Sequence, residues 1–361
     1  MSLSPFSAKI VSLLERSLAM AHVLYLNYTK AEQGLEEQVF GSFAKLTFYK
    51  GPGEPDDPPP EAECLRADGI ISGAAQHDVG PIDRYPQCKI IVRLGVGYDN
   101  LDVKAWSERG VPVCNVPDYG TTEVADHALG LMLALVRGIV PYQDRLRPDP
   151  VGAWGWSPAP PLMRRLRGAT FGVVGLGRIG LAAARRAAAF DMQVVFYDPY
   201  LPNGVDLATG YRRLSSLNAL MAESDVVSLH APYSQSTHHL INAEALAHAK
   251  LGQLLINTAR GPLIDLEALE HALRSGRIGG AGLDVLPQEP PSPLPRLLRD
   301  WQAGAADLRD RLLITPHAAF FSPPGNLDIR RKAAEVVCHY LRDGHLTNCV
   351  NWDAIKDRIQ R

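Results

Sequence analysis

Short runs of β-branched and aliphatic residues alternate along the chain with helix-forming and loop-forming stretches. Between Phe171 and Ile314 six such runs read as strands: Phe171 to Val174, Val194 to Tyr197, Val226 to Leu229, Leu254 to Ile256, Gly282 to Val285 and Leu312 to Ile314. The Ala-rich stretch Ile179 to Phe190 and the segment Asp265 to Ser275 supply two intervening helices. Such alternation implies a parallel sheet with helices on both faces, because right-handed crossovers leave few other arrangements. An earlier series, Val23 to Tyr28, Leu46 to Tyr49, Gly69 to Ser72, Ile90 to Leu94 and Val113 to Asn115, reads as a second, smaller α/β unit.

The proline-rich piece Gly51 to Pro60 cannot form a helix or a central strand and is expected as an exposed loop. The boundary between the two units is instead placed at a helix from Thr121 or Thr122 to about Arg137, with Glu123 in its first turn. Leu129, Leu131, Met132, Leu133, Leu135 and Val136 cover more than one helical stripe, so this helix is expected to be buried between domains or subunits.

At 361 residues the chain has room for two or three domains. With 46% apolar and 21% charged residues, and 37 Lys+Arg against 39 Asp+Glu for a net charge of −2, it reads as an ordinary globular protein. That balance lacks the positive field of nonspecific nucleic-acid binders, so no direct nucleic-acid binding is expected. No stretch approaches the roughly 18 apolar residues of a membrane span, and Arg137 closes the longest candidate. The five cysteines show no metal-ligand spacing, so no metal site is expected and reduced thiols in the cytoplasm are the preferred reading. Ala19-Met20-Ala21 mimics a signal cleavage site, but Glu15 and Arg16 interrupt the apolar segment that would precede it. Residues 1–19 are read as an extension.

Gly175-Leu176-Gly177-Arg178-Ile179-Gly180 is a GxGxxG motif that follows one expected strand and opens an Ala-rich helix. In that setting the first glycine permits the tight turn, the second lets a pyrophosphate approach the backbone, and the third allows close helix packing. Asp198 stands at the end of the next strand, where an acid about 20 residues on would bond a ribose 2′-hydroxyl. A carboxylate there repels a 2′-phosphate, which favours NAD over NADP.

Ligands of open α/β sheets bind beyond the carboxyl ends of the strands. Thr258, Ala259 and Arg260 follow the fourth strand of the larger series, Asp284 ends the fifth with Glu289 shortly after, and His317 follows the sixth. Hydride exchange with a ketone needs a proton donor for the carbonyl oxygen and a cation to hold and polarise the substrate, roles that suit His317 and Arg260. A carboxylate such as Glu289 on the imidazole would select its tautomer and favour its protonated form, while Asp284 would face the nicotinamide end of the cofactor.

From about Ile90 to Asn351 the sequence resembles the D-isomer-specific 2-hydroxyacid dehydrogenases, and within them the C-terminal-binding protein branch. The matching stretches include VRLGVGYDNLDVKA, VPVCNVP, EVADHALGLMLAL, GLGRIG, FYDPYL, HHLIN, NTARG, GLDV, TPHAAFFS and the closing NCVN. The resemblance implies two doubly wound α/β domains: a Rossmann NAD-binding domain at 121–319 and a smaller, discontinuous flavodoxin-like substrate domain at 20–120 and 320–361. It implies Arg260, Glu289 and His317 as the catalytic set. Cofactor contacts are implied for Thr122, Gly175, Gly177, Arg178, Ile179, Gly180, Asp198, Pro232, Thr237, Thr258, Ala259 and Asp284. Arg93, Val96, Gly97 and Phe320 are implied at the substrate, a small 2-oxo or 2-hydroxy acid, in a crevice that closes on it. A homodimer through the dinucleotide domain is implied as well.

Three departures from the resembled pattern stand out. Phe320 replaces the tryptophan of the C-terminal-binding proteins. The segment Pro290 to Arg311 is longer than in that branch, and its Leu294, Leu297, Leu298 and Trp301 suggest a partly helical insertion that could serve as a lid. Gly152 to Pro161, with Trp154 and Trp156, reads as a packed loop in preference to a contribution to a neighbouring subunit's pocket. The function expected is NAD-dependent interconversion of a 2-oxo acid and its D-2-hydroxy acid. The alternative is an NAD(H)-sensing scaffold or corepressor with little turnover, and phosphite or formate oxidation ranks third.

Overall fold

The structure, a computed structural model, describes residues 20–26, 34–49, 59–73 and 81–359. The extension at 1–19, the last two residues of the first expected strand and positions 51–58 of the proline-rich loop lie outside the described residues. The chain divides into two compact units. One runs from Gly120 to Ser322, and the other joins the described residues up to Tyr119 with those from Pro323 onward.

The first of these carries a seven-stranded parallel sheet built from β6 (Thr170–Val174), β7 (Gln193–Tyr197), β8 (Arg212–Arg213), β9 (Val226–Leu229), β10 (Gln253–Asn257), β11 (Ile278–Leu283) and β12 (Leu312–Ile314). Its order is β12-β11-β10-β9-β6-β7-β8, so the direction of winding reverses between β6 and β9. The central strands are buried end to end, as parallel strands covered on both faces must be. β8 escapes a hydrophobic reading because it is two arginines at the sheet edge, paired with Val195 and Phe196. β11 begins four residues earlier than its apolar pattern suggests, since the glycines at 279 and 280 disguise a fully buried strand.

The helix Thr121–Arg137 forms as expected. Its buried residues, among them Leu129, Leu131, Met132 and Leu135, join one core cluster with Phe171, Val173, Ala183, Ala187 and Ile256 of the same unit. Leu131 lies over Gly282, where a Cβ would come within 2.9 Å of its own Cβ. The wide apolar face is therefore spent on this unit's own sheet and on the helix Arg178–Ala189.

The other unit has a five-stranded parallel sheet of β1 (Ala21–Leu26), β2 (Ala44–Phe48), β3 (Gly69–Ser72), β4 (Ile90–Arg93) and β5 (Val113–Cys114), in the order β2-β1-β3-β4-β5. The helix Pro323–Asp343 returns the chain to it. There Arg330 and Glu36, both buried, pair through two bonds, Nε to Oε1 at 2.8 Å and Nη2 to Oε2 at 2.9 Å.

Candidate active site

The Gly175–Gly180 loop occupies the point where the larger sheet reverses. Gly175 has φ +87°, a conformation that disfavours a side chain, and a Cβ there would lie 2.8 Å from the Ala231 amide nitrogen just past β9. A Cβ on Gly180 would lie 2.1 Å from the Gly175 carbonyl oxygen, so the helix Arg178–Ala189 can start this close to the loop only with glycine at that place. At Gly177, the N-cap, nothing stands within 4 Å of such an atom. Two glycines are thus required by packing, and the third faces open space at a helix N-terminus, the arrangement that admits a pyrophosphate. Arg178 and Ile179 form the first helical turn.

Asp198 follows β7, and its carboxylate accepts the amides of Leu176 and Tyr200, each at 3.0 Å. It borders a cavity lined by Tyr197, Pro199, Arg213, Leu214 and Ser215. The Arg213 guanidinium donates to the carbonyls of Asp198, Leu201 and Pro202, which commits it to the backbone. Pro232 and Thr237 share the loop after β9, where the Thr237 hydroxyl donates to the Pro232 carbonyl at 2.9 Å. The Thr122 hydroxyl donates to Glu123 Oε2 at 2.7 Å.

The parallel register brings the ends of β10, β11 and β12 side by side: Asn257 pairs with Leu283, and Leu283 with Ile314. Backbone bonds then weave the three following loops together. The Asp284 amide donates to the Asn257 carbonyl at 2.9 Å, and the His317 amide donates to the Asp284 carbonyl at 2.8 Å. The Asn257 side chain holds the turn that carries Arg260, donating to the Arg260 carbonyl at 2.8 Å and accepting from the Ala259 amide at 3.0 Å. A Cβ on Gly261 would overlap Leu286, at 1.8 Å, so the Arg260 turn lies directly on the loop that leads to Glu289.

His317 Nδ1 meets Glu289 Oε2 at 2.5 Å, and Glu289 Oε1 accepts the Leu286 amide at 2.7 Å. The carboxylate is thus fixed by its own loop and in turn fixes the imidazole. An Nδ1–H donated to this carboxylate leaves Nε2 as the ring nitrogen that can exchange a proton with a ligand. His317 has φ +54°, a strained conformation for a non-glycine residue, and the strain is offset by the bonds around it. Phe320 stands edge-on to the imidazole, with centroids 6.2 Å apart.

Asp284 is only 2% exposed, and its carboxylate is taken up by this turn. It accepts from Thr315 Oγ1 at 2.6 Å and from the amides of Ala318 and Ala319 at 2.9 and 3.0 Å. His127 Nε2 bonds the same Thr315 hydroxyl at 2.9 Å. Sequence reasoning did not single out His127 or Thr315, because a separation of 188 positions gives no local sign of contact. His230 was also passed over, although it follows β9 by the same positional rule that selects His317. Burial pushes its imidazole down to about 4, and it bonds Ser228 Oγ through Nε2 at 2.9 Å.

Arg93, Val96 and Gly97 belong to the other unit. Arg93 ends β4 and donates to the Leu94 carbonyl, with its guanidinium lying against Gly95. The Val96 carbonyl accepts the Asn115 side-chain amide at 2.6 Å, which ties the loop after β4 to the end of β5.

A family model described as D-isomer specific 2-hydroxyacid dehydrogenase, NAD binding domain, matches residues 129–319. A glyoxylate reductase of Korarchaeum cryptofilum is 36% identical over 283 residues, 78% of this chain and 81% of that protein. The chain belongs to the D-isomer specific 2-hydroxyacid dehydrogenase family. Its fold matches that of a D-lactate dehydrogenase from Aquifex aeolicus complexed with NAD and lactic acid, with a TM-score of 0.76 and 29% identity over 93% of this chain and 98% of that one. It also matches an NADPH-dependent glyoxylate/hydroxypyruvate reductase of Sinorhizobium meliloti in complex with NADP and malonate, with a TM-score of 0.78 and 28% identity over 92% and 97% of the two chains. The narrower likeness to the C-terminal-binding protein branch finds no support in these matches, which carry the names of reductases and a dehydrogenase.

The protein is an NAD-dependent oxidoreductase acting on CH–OH donors, and its residues fit the cofactor. Besides the open space at Gly177, the buried Thr258 Oγ1 just past β10 has no hydrogen-bond partner, as expected of a hydroxyl that awaits a ligand.

Two further expectations are corrected. The insertion at 290–311 is no lid, because the helix Arg296–Gln302 buries Leu297 and Leu298 in the core of its unit, with Leu294 and Trp301 packed against it. Trp301 Nε1 donates to the Leu312 carbonyl at 3.0 Å, and Arg274 bonds both Asp300 and Asp307. Conversely, the tryptophans of the 152–161 loop are not packed: Trp154 and Trp156 are 80% and 79% exposed within the single chain.

Proposed function

We propose that this protein reduces a small 2-oxo acid to its D-2-hydroxy acid with NADH, with glyoxylate, hydroxypyruvate and pyruvate as the first candidates. The observation that carries the reading is the bond between His317 Nδ1 and Glu289 Oε2 on a loop held against that of Arg260. Bound NADH supplies the hydride. Arg260 binds the substrate and polarises its carbonyl, which localises negative charge on the oxygen as the barrier is crossed. His317 donates a proton from Nε2 to that oxygen and takes it back in the oxidative direction, while Glu289 stabilises the imidazolium and holds the ring's orientation. Phe320, edge-on to the imidazole, narrows the space for the substrate side chain, which suits short acids. Val96 and Gly97 amides, with Arg93, are assigned to the carboxylate. Asp198 favours NAD over its 2′-phosphorylated form, since Arg213, the nearby cation, is occupied by three carbonyls.

A screen of NADH oxidation across short, branched and aromatic 2-oxo acids tests this, with His317→Ala as the decisive variant. We expect turnover to fall by at least about a hundredfold, the scale of general acid–base catalysis, with nucleotide binding retained. Undiminished turnover in the variant ends the assignment of His317.

The protein is further proposed to form a homodimer through the dinucleotide-binding unit. Ile139, Val140, Val151, Trp154 and Trp156 are exposed large apolar side chains of one sequence stretch, more than an isolated surface needs. Sedimentation should show a dimer that the double change Trp154→Glu with Trp156→Glu dissociates. A dimer indifferent to it would place the interface elsewhere.

A further inference from the structure

Cys114 and Cys349 are far apart in sequence, yet they face each other across an antiparallel bridge in the smaller-sheet unit. The bridge has a specific geometry. The Val350 amide donates to the Val113 carbonyl at 2.8 Å and the Asn115 amide to the Asn348 carbonyl at 3.3 Å, so the bonds flank the two cysteines instead of joining them. This is the non-hydrogen-bonded kind of pair, whose Cα atoms stand about 4.5 Å apart with side chains closest, within the span a disulfide can bridge. The Cys349 thiol donates to Asn351 Oδ1 at 3.2 Å. Cys114 is fully buried, whereas Cys349 is half-buried and open to a small reagent.

We propose that Cys114 and Cys349 form a thiol pair that a peroxide closes into an intramolecular disulfide. The Cys349 thiolate attacks one oxygen of hydrogen peroxide, the O–O bond breaks, and hydroxide leaves and is protonated to water. The sulfenic acid at Cys349 is then attacked by Cys114, the S–S bond forms, the S–O bond breaks, and the Cys114 proton leaves with the oxygen as a second water. Two thiols and one peroxide give one disulfide and two waters. Cys349 is the attacking group because it is the less buried of the two, and the neighbouring Cys114 thiol brings it down to about 7, whereas its pairing with Cys349 and burial push Cys114 far up. The remaining cysteines, Cys64, Cys88 and Cys338, are buried in the fold, and burial pushes the Cys88 thiol up to about 12.

The bridge is the seam by which the returning chain joins β5, so its closure would staple residues 114 and 349 and restrict the unfolded chain. The end of β5 also holds the Val96 loop through Asn115, which places the switch one residue from a contact of that loop.

The test treats the full-length reduced protein with hydrogen peroxide, quenches in acid, alkylates under denaturing conditions and maps the peptides by mass spectrometry. The expected product is a 114–349 cross-linked peptide pair that has lost two hydrogens and is restored by dithiothreitol, with a higher midpoint of unfolding in the oxidised sample. Cys349→Ser, at the less buried position, should abolish both changes and leave Cys114 alkylated. Recovery of Cys349 as a stable sulfenic or sulfinic acid with Cys114 still free overturns the proposal, as does preferential oxidation of Cys64, Cys88 or Cys338.

Discussion

His317 and His230 show how one residue type takes opposite roles according to its surroundings. His317 is partly exposed and bound to a carboxylate, which suits the proton exchange proposed for it. His230 lies just past β9 beside the nucleotide loop, and burial of its ring favours the neutral form. With a folded-state value of about 4 against an unfolded 6.5, the unfolded chain binds the extra proton first. Stability from this residue is present above pH 6.5 and is lost as pH falls from there towards 4, by about 3 kcal/mol at most. Urea unfolding across that range should therefore show a steeper loss in the parent than in His230→Gln, and equal slopes would refute the assignment.

At the level of elements, the turns after β6, β10, β11 and β12 do the positioning, and each is set by small residues and local bonds. Gly180 is tightly constrained, because a Cβ would lie 2.1 Å from the backbone oxygen of Gly175. Gly180→Ala should keep the protein folded but shift the helix Arg178–Ala189 away from the loop, weakening NADH binding at least about tenfold, with the loss in affinity rather than in the chemical step. Titration of NADH fluorescence checks this, and unchanged affinity would show that the helix start can yield. The insertion at 290–311 teaches a complementary lesson. Its leucines and tryptophan were legible as an apolar helix, but an apolar helix can equally be a mobile cover or a piece of core. Only the partners of Leu297, Trp301 and Arg274 decide between them.

Across the whole molecule, the chain's return after Pro323 is anchored by the buried pair Arg330 and Glu36, 294 residues apart. Two charges removed from water are tolerated because the guanidinium and carboxylate meet through two bonds, and removing one partner strands the other. Glu36→Gln should cost about 3–5 kcal/mol of unfolding free energy in chemical denaturation, and a cost under about 1 kcal/mol would show that the charge finds water.

Residue order alone determined a good deal. The strand positions, the GxGxxG turn with Asp198, and the placing of Arg260, Glu289 and His317 after successive strands are local, since periodicity, glycine at tight turns and distance along the chain are properties of neighbouring residues. Sequence could not decide what covers the face of the helix Thr121–Arg137, or that Thr315 and His127 would gather around Asp284. It was likewise silent on the meeting of Cys114 with Cys349 and of Arg330 with Glu36. Most of those pairings join residues well over a hundred positions apart, and they exist only because the order of strands within each sheet, and the return of the chain after Pro323 to the smaller sheet, carry distant segments to one place.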